Sequence, residues 1–226
     1  CDKIITVSDG LASEYKRVYG IQPEVIMSLP ASRDVQPSQP QSDRIRIIHH
    51  GVAGRSRKTE MMIEMMDHVD ERFTLDLMLV VKDVKYHKMI VSLAEKRKNV
   101  RVIPSVPMQE IIPRINQYDI GLFLVPPTNL NLQYTLPNKL FEFIQARLAV
   151  AIGPSIEMRK IVDKFNCGIV SKDFSPLSLA RELNRLTTEK LVQLKENSHK
   201  AAQELNAETK AKRVREIVHD LTEIKL

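Results

Sequence analysis

Residues 125–152 read VPPTNLNLQYTLPNKLFEFIQARLAVAI, and this stretch decides the predicted fold. A strand pattern over 119–125 leads into a polar loop, then into a helix with apolar residues at helical spacing, and finally into the short apolar strand 148–152. Pro137 fixes a backbone angle that suits a helix start, and we expect Asn138 to cap the new helix. The stretch therefore predicts strand, loop, helix and strand in succession.

Two charged residues, Lys139 and Glu142, lie within the first turns of that helix. In open α/β sheets, ligands bind beyond the carboxyl ends of the strands, where helix N-termini point free N–H groups. A cation and a carboxylate at such an opening suit a phosphate beside a ribose, which is our hypothesis for this pair. The same spacing also fits an ordinary helix start with solvated charges.

From Arg44 onward, strand patterns alternate regularly with helical patterns. The expected strands are 45–48, 74–81, 100–103, 119–125, 148–152 and 167–170. Such alternation indicates a parallel sheet with helices on both faces, so the predicted fold class is α/β, Rossmann-like. Residues 28–43 are rich in proline and serine, with little to bury, and we interpret them as a linker or an exposed hinge loop.

The composition limits the classes of protein that the chain can represent. With 226 residues, 43% hydrophobic and 27% charged, it resembles an ordinary globular protein without an apolar run of membrane-spanning length. Cys1 and Cys167 have no CxxC or histidine-rich company, which argues against a zinc site or a disulfide framework and predicts a reducing compartment. The net charge of +6 suggests an anionic ligand or membrane surface. Nucleic acid is disfavoured, because basic and aromatic residues do not interleave.

The loop HHGVAGRSRK (49–58), after the strand at 45–48, is a second candidate anion site. Gly51 and Gly54 let the backbone approach a ligand closely. Three cations follow within five residues, namely Arg55, Arg57 and Lys58. The spacing matches neither a P-loop nor the dinucleotide fingerprint GxGxxG. A solvated basic loop is the alternative interpretation.

Three further features, the two histidines, the turn 105–107 and the methionines of 61–66, can be explained either by structure or by function. His49 and His50 follow a strand, where histidines are more often hydrogen-bonded structural residues than catalysts. The turn 105–107 has backbone groups suited to the edge of a flat ring, although a plain turn explains it equally. The methionines of 61–66 recur at helical spacing, which favours core packing.

With these loops in place, four segments resemble the C-terminal half of GT-B-fold glycosyltransferases, in particular the large retaining group that uses nucleotide-activated sugars (group 1, family-4-like). The segment LPNKLFEFIQARLAVAI is similar to that family's P-n-K-l-f-E-y-l motif and is the most specific. The looser segments are CDKIITVSDGLASEYKRVYG, RIRIIHHGVAGRSRKTEMMIEMM and NCGIVSKDFSPLSLARELNRL. The resemblance covers nearly the whole chain.

The resemblance implies a domain organisation. Residues 1–27 would be the last βα segment of an N-terminal acceptor domain, and 28–43 the linker. Residues 44–205 would form the nucleotide-sugar-binding domain, and 206–226 a C-terminal helix. Because structured sequence begins at Cys1 without a Met, we expect the chain to be a piece of a longer protein whose acceptor domain is missing.

The resemblance also implies site residues. Arg57 matches the position that holds the donor diphosphate, with Gly51, Arg55 and Lys58 beside it and Lys139 as a second phosphate contact. Glu142 would hydrogen-bond the ribose, and the turn around Val106 would face the base through its backbone. Possible sugar-side residues are Asn138 and Tyr134. Catalytic residues stay unassigned, and the resemblance implies neither a metal nor another cofactor.

Three positions depart from the family pattern. Tyr134 stands where many relatives carry a glutamate eight residues before Glu142. Arg147 replaces the glycine of a Gly-x-Pro-Val segment, which predicts the loss of a flexible turn. Lys58 replaces the usual glycine at the start of the first helix.

The resemblance implies the donor-binding half of a glycosyltransferase, which we expect to be inactive by itself. We expect it to be cytoplasmic, with peripheral attachment to the inner face of a membrane as a possible addition. The alternative is a non-catalytic α/β module, regulatory or scaffolding, that docks an anionic partner through its basic cleft. A nucleotide-sugar epimerase is a third option that ranks low, because its usual histidine and acidic residues cannot be assigned.

Overall fold

A computed structural model describes residues 2–223 of the chain. Cys1, one of the two cysteines interpreted above, lies outside the described residues. So do the last three residues of the expected 206–226 helix. The strands are β1 (Ile5–Thr6), β2 (Glu24–Val25), β3 (Ile45–Ala53), β4 (Phe73–Val81), β5 (Val100–Pro104), β6 (Ile120–Phe123), β7 (Ala149–Ile152) and β8 (Gly168–Val170). The helices are α1 (Asp9–Tyr19), α2 (Glu60–Met65), α3 (Val84–Glu95), α4 (Ile111–Ile115), α5 (Leu130–Gln133), α6 (Asn138–Gln145), α7 (Ile156–Phe165), α8 (Pro176–Asn184), α9 (Thr188–Glu204) and α10 (Ala207–Glu223).

Strands β3 to β8 form one parallel six-stranded sheet in the order β5-β4-β3-β6-β7-β8. The chain builds outward from β3 to β5, then returns to place β6 against the other side of β3. The order therefore reverses between β3 and β6, and in doubly wound sheets ligands bind outside the carboxyl ends of the strands at this switch point. The predicted α/β fold class is confirmed.

Both faces of the sheet are covered, as expected for parallel strands. Ile47 and Ile48 are neighbours in β3 and point to opposite faces, yet neither is exposed to solvent. Ile47 belongs to the core cluster that α2, α3 and α8 complete, and Ile48 to the cluster under α4, α6 and α7. The methionines of α2 contribute to the first cluster, so the core-packing interpretation of 61–66 is confirmed.

Several element ends differ from the sequence expectation. The strand expected over 119–125 is limited to Ile120–Phe123, and the loop after it contains the unpredicted helix α5. Pro137, with extended backbone angles, is the N-cap of α6, and Asn138 is the first helical residue. The expectation that Asn138 caps the helix is therefore wrong, because the chain is still extended at Pro137.

Residues 28–43, called the strap below, form no helix and no strand beyond one isolated bridge. Their backbone is nevertheless anchored along the domain. Ala207 N–H donates to the carbonyl of Pro30 (2.9 Å), and the guanidinium of Arg147 donates to the carbonyl of Arg33 (2.8 Å). The irregular segment thus lies in defined contact with α10 and with the end of α6.

A buried ion pair anchors the far end of the strap, at the amino ends of β3 and β6. The ammonium of Lys195 donates to Ser38 Oγ (3.0 Å) and to the carbonyl of Tyr118 (2.8 Å), with Asp119 Oδ1 at 3.5 Å. Asp119 also accepts from the backbone N–H of Arg46 (2.8 Å). Burial lowers the pKa of Lys195 to about 8, against the opposing charge of Asp119. The pair ties α9, the strap and the central strands together.

Strands β1 and β2 form a separate two-stranded parallel sheet with α1 beside it. Ser8 caps α1 by accepting from the N–H of Leu11, and Gly20 ends the helix with a left-handed backbone. The assignment of 1–27 to an acceptor domain, like the other domain boundaries, stays a prediction. Among residues 2–223 the structure has no helix that is both long and apolar enough to cross a membrane.

Candidate functional site

The two loops that the sequence singled out meet at the carboxyl ends of β3 and β6. Gly51, near the end of β3, has φ = +122°, a conformation that favours glycine. A Cβ at this position would lie 2.9 Å from Nζ of Lys139. The absence of a side chain at Gly51 therefore gives the lysine its place across the end of β3.

Lys139 is the unusual residue of this site. It is only 6% exposed, and its Nζ has no hydrogen-bond partner. The ammonium lies 5.3 Å from the ring centroid of Phe123, the last residue of β6. Burial, together with the nearby charge of Arg57 and against the opposing charge of Glu142, lowers the pKa of Lys139 to about 7. A buried cation without a partner suits an anionic ligand.

Glu142 lies one turn further along α6 and is partly buried. Burial raises its pKa, and the neighbouring charge of Lys139 opposes the rise. Its Oε2 lies 3.3 Å from Nε2 of His50, which is not aligned for a hydrogen bond. Burial lowers the pKa of His50 to about 3, so the imidazole is neutral and the contact is no ion pair. The His50 ring packs edge-on against Phe143 at 5.2 Å.

His49 has a structural role. Its Nδ1 lies 2.9 Å from the carbonyl of Leu122 in β6, where a ring N–H donates across the strands. The residue is 1% exposed, and burial holds its pKa well below the usual value. This hydrogen bond joins β3 to β6 beneath the site, in agreement with the structural interpretation of the histidines.

The structure separates the three cations of the 49–58 loop. Arg57 is half-buried, and its charge acts on Lys139 and His49. Arg55 is drawn towards α3, where its Nε lies 3.2 Å from Asp83 Oδ2 and its guanidinium lies over the Tyr86 ring at 5.5 Å. Arg57 therefore belongs to the cluster around Lys139, and Arg55 lies at its margin.

Lys58 and Arg147, the two residues that replace family glycines, both keep a glycine-like backbone. Their φ values are +46° and +63°, in the left-handed region. Lys58 is exposed at the end of the short 3₁₀ turn Arg55–Arg57. The predicted loss of a turn at Arg147 is wrong, because the chain makes the turn and tolerates the strain.

The three remaining predicted site residues, Asn138, Val106 and Tyr134, have different surroundings. Asn138 is exposed at the start of α6, and Val106 is half-buried against the core cluster under α4 and α6. Tyr134 turns towards α1. Its carbonyl accepts from Ser8 Oγ (3.0 Å), and a Cβ on Gly10 would lie 2.1 Å from its ring. The tyrosine thus packs against the first segment of the chain.

A cleft of about 290 Å³ opens beside Glu142 and Asn138. Its other lining residues are Ser28, Leu29, Pro30, Ala31, Arg33, Met108, Gln109 and Ile112. The strap residues could not be identified from the sequence, because a proline- and serine-rich segment carries no signal for what it packs against. Phe123 was also not predicted, although its position at a strand end was a usable signal. Within 2–223, no group of three or more His, Cys, Asp or Glu side chains is placed to hold a metal ion.

Comparisons with known proteins place this geometry in a known fold. No protein-family model matches the sequence, and no curated protein matches it significantly. Among solved structures, HepE from Anabaena in complex with UDP-glucose matches with a TM-score of 0.81 at 12% identity, over 97% of this chain and 64% of that one. Sucrose-phosphate synthase from Thermosynechococcus elongatus matches with a TM-score of 0.76 at 14% identity, over 99% and 59%.

WaaG, a glycosyltransferase involved in lipopolysaccharide biosynthesis, matches with a TM-score of 0.66 at 16% identity, over 92% of this chain and 61% of that one. The chain thus spans about three fifths of the length of these structures. The resemblance to GT-B-fold glycosyltransferases is confirmed at the level of the fold.

Proposed function

We propose that this chain is the donor-binding half of a glycosyltransferase and that it holds a nucleoside diphosphate-sugar at the mouth between β3 and β6. The observation that carries the proposal is the buried, unpartnered ammonium of Lys139 at the switch point of the sheet, beside Gly51 and Glu142. HepE, with a similar fold, has been crystallised with UDP and with UDP-glucose, which supports a donor of this class.

The cluster suits a diphosphate that becomes a leaving group. Gly51, Arg57 and Lys139 would surround the phosphates, with Arg55 and Lys58 at the margin, and Glu142 would accept hydrogen bonds from the ribose hydroxyls. When the bond to the sugar breaks, negative charge develops on the diphosphate. Fixed cations in a partly dry site stabilise that charge, so the proposed reaction uses no metal.

The remaining assignments belong to the same proposal. Val106 would lie near the base, and Asn138 and Tyr134 near the sugar. Transfer would retain the anomeric configuration, and the acceptor would bind to a domain preceding this one. We place the protein in the cytoplasm, with the basic chain able to associate with an anionic membrane surface.

Calorimetry with pyrophosphate, UDP, GDP and UDP-glucose tests the proposal. The substitution Lys139→Met should lower the affinity for every diphosphate at least about tenfold, because a buried charge-assisted contact is lost. Replacing Glu142→Gln should weaken nucleotide binding but leave pyrophosphate binding unchanged. Lys164→Met, which removes an exposed lysine from α7, is the matched control.

The same titrations distinguish the alternative module that docks an anionic partner. Its binding would depend on salt and on total charge, so Lys164→Met would weaken it as much as Lys139→Met. Failure of the wild-type chain to bind any diphosphate, or equal effects of the two lysine changes, would reject the donor site. The buried and specific position of Lys139 favours the donor site over this alternative.

A further inference from the structure

The cleft beside Glu142 has the make-up of a small ligand site. Apolar side chains, including Leu29, Met108 and Ile112, form most of its walls, and Gln109, Arg33 and Glu142 add a few polar groups. Ligand pockets commonly combine an apolar lining with a small number of placed polar groups. At about 290 Å³, the cleft suits one flat ring better than a whole nucleotide-sugar.

The position of Arg33 in this cleft is fixed by its backbone. Its N–H donates to Oε1 of Gln145 (3.2 Å), and its carbonyl accepts from Nη2 of Arg147 (2.8 Å). Gln145 and Arg147 are themselves buried, and the amide of Gln145 donates to two carbonyls at the end of α9. The strap therefore presents Arg33 from a defined position, although it has no regular secondary structure.

The side chain of Arg33 has an unsatisfied donor. Its Nε is buried and has no hydrogen-bond partner. Buried donors without partners are rare in native structures, because they lose their water and receive no acceptor in return. An acceptor atom on a ligand in the cleft would satisfy this group.

The order of residues on α6 relates this cleft to the proposed donor site. Lys139 reaches the end of β3, Glu142 borders the cleft one turn later, and Arg33 lines the same cleft. A ligand with its diphosphate at Lys139 and its ribose at Glu142 would thus place its base in the cleft. Val106, proposed to lie near the base, is two residues before the lining residue Met108.

We propose that Arg33, supplied by the strap, determines the base specificity of the donor site by donating to a carbonyl oxygen of a nucleobase held in this cleft. The inference rests on the proposed function and deepens it. Uracil and guanine carry such an oxygen and adenine does not, so the site should prefer UDP or GDP to ADP. The strap would then be part of the binding site as well as a connection.

Calorimetry on the full chain with UDP, GDP, ADP and pyrophosphate tests this inference. The wild-type chain should bind UDP or GDP about tenfold more tightly than ADP. Arg33→Met should remove most of that preference and leave the affinity for ADP within about twofold. Arg33→Lys should keep the affinity for pyrophosphate and still lose the preference, because it restores the charge without the Nε donor.

Two controls make the result decisive. Arg181→Met removes an exposed arginine from α8 and should change nothing. Because the strap is held through the backbone of Arg33, both Arg33 variants should melt at the wild-type temperature.

Equal wild-type affinity for UDP, GDP and ADP, or an unchanged preference in Arg33→Met, would overturn the inference while leaving a diphosphate site intact. An equal loss of UDP and pyrophosphate affinity in Arg33→Met would also overturn it, and a wild-type chain that binds no diphosphate would reject the proposed function itself.

Discussion

The ammonium group of Lys139 is buried without a hydrogen-bond partner, so the free protein holds it at a cost in stability. In the folded chain its pKa is about 7, well below the ordinary value of a lysine, chiefly because of burial. An anion placed beside the group would reverse this shift. The same residue is therefore expected to weaken the free fold and to strengthen a complex, a trade-off found at many functional sites.

Binding of a diphosphate should take up a proton at pH 8. At that pH, Lys139 is mostly neutral in the free protein, and a bound anion raises its pKa and charges it. About one pH unit below this pKa the lysine is already largely charged, so the affinity for UDP-glucose, whose diphosphate does not itself titrate near neutral pH, should be flat at lower pH and should fall as the pH rises above about 7. Neighbouring titratable groups are His49, His50 and Glu142.

Calorimetry at pH 8 in two buffers of different ionisation enthalpy measures the uptake, which should approach one proton per diphosphate. Lys139→Met should abolish the uptake together with most of the binding. Proton uptake that survives in this variant would assign it to another group.

Removal of Lys139 should stabilise the free protein. The folded pKa of about 7 lies below the unfolded value, so the unfolded chain binds more protons between about pH 7 and pH 10. Wild-type stability should therefore rise with pH across this window. Lys139→Met should raise the free energy of unfolding at pH 7 by on the order of 2 kcal/mol and should flatten that rise. Urea denaturation at pH 7 and pH 9 measures both effects, and a less stable variant would contradict the prediction.

Gly51 and Gly54 provide a matched pair within one loop. Gly51→Ala puts a Cβ 2.9 Å from Nζ of Lys139 at a φ of +122°, so it should displace the lysine and lower stability by about 1–2 kcal/mol. We expect a loss of pyrophosphate affinity of at least about tenfold. Gly54→Ala has open space around it and an extended backbone, so it should bind as the wild type does. Equal effects of the two changes on pyrophosphate binding would show that the contact with Lys139 is unimportant.

At the scale of elements, helix α6 connects the site to the strap. Its first turns supply Lys139 and Glu142, and its last residue, Gln145, accepts the N–H of Arg33. Arg147, two residues further on, donates to the carbonyl of Arg33. Eight helical residues and one turn therefore position the proposed phosphate, ribose and base contacts together.

Two substitutions at Arg147 separate the cost of its left-handed backbone from the contribution of its side-chain hydrogen bonds. Its guanidinium donates to the carbonyls of Gln145 (2.6 Å) and Arg33 (2.8 Å) and to Nδ1 of His199 (3.0 Å). Arg147→Ala loses these bonds and keeps the left-handed strain, so it should destabilise the fold by about 3 kcal/mol. Arg147→Gly loses the same bonds but relieves the strain, and should cost about 1 kcal/mol less.

Thermal and urea unfolding of the two Arg147 variants measure this difference. A glycine variant as stable as the wild type would mean that the hydrogen bonds of the guanidinium contribute no more than the relief of strain, about 1 kcal/mol. If the alanine variant is as stable as the glycine variant, the left-handed backbone carries no cost.

At the scale of the whole molecule, the chain spans about three fifths of the similar glycosyltransferase structures. The candidate site lies at the carboxyl ends of the central strands β3 and β6, and α1, which lies beside the small β1–β2 sheet, packs against Tyr134 through Gly10. We proposed that the acceptor binds outside this chain. Donor binding and sugar transfer should therefore be separable.

The chain alone should bind donor without turning it over. With UDP-glucose at a concentration that saturates the site, a coupled assay for released UDP should remain at the buffer background, because we propose that the acceptor binds outside residues 1–226. Calorimetry on the same sample should still report binding. Sustained release of UDP that depends on Lys139 would show that residues 1–226 carry their own catalytic groups.

Much of the fold was predictable because its signals are local. Apolar runs, helical spacing and the Ser8 cap depend on neighbouring residues, and the strands and helices from Arg44 onward lie close to their expected positions. Errors arose where the tertiary environment decides, as at α5 and at the start of α6. The backbone of Arg147 is a further case, since contacts with Arg33 and His199, both distant in sequence, support its left-handed turn.

The parallel α/β class, the two loops that follow strands and the candidate pair Lys139 and Glu142 can be recognised from the sequence, because periodicity and charge are properties of the chain. The packing of the chain adds three features: Gly51 makes room for Lys139, Arg55 contacts Asp83, and the strap places Arg33 in the lining of the cleft beside α6. Each of these is a contact between segments distant in sequence. Burial and an unsatisfied donor or cation exist only once such segments are packed together.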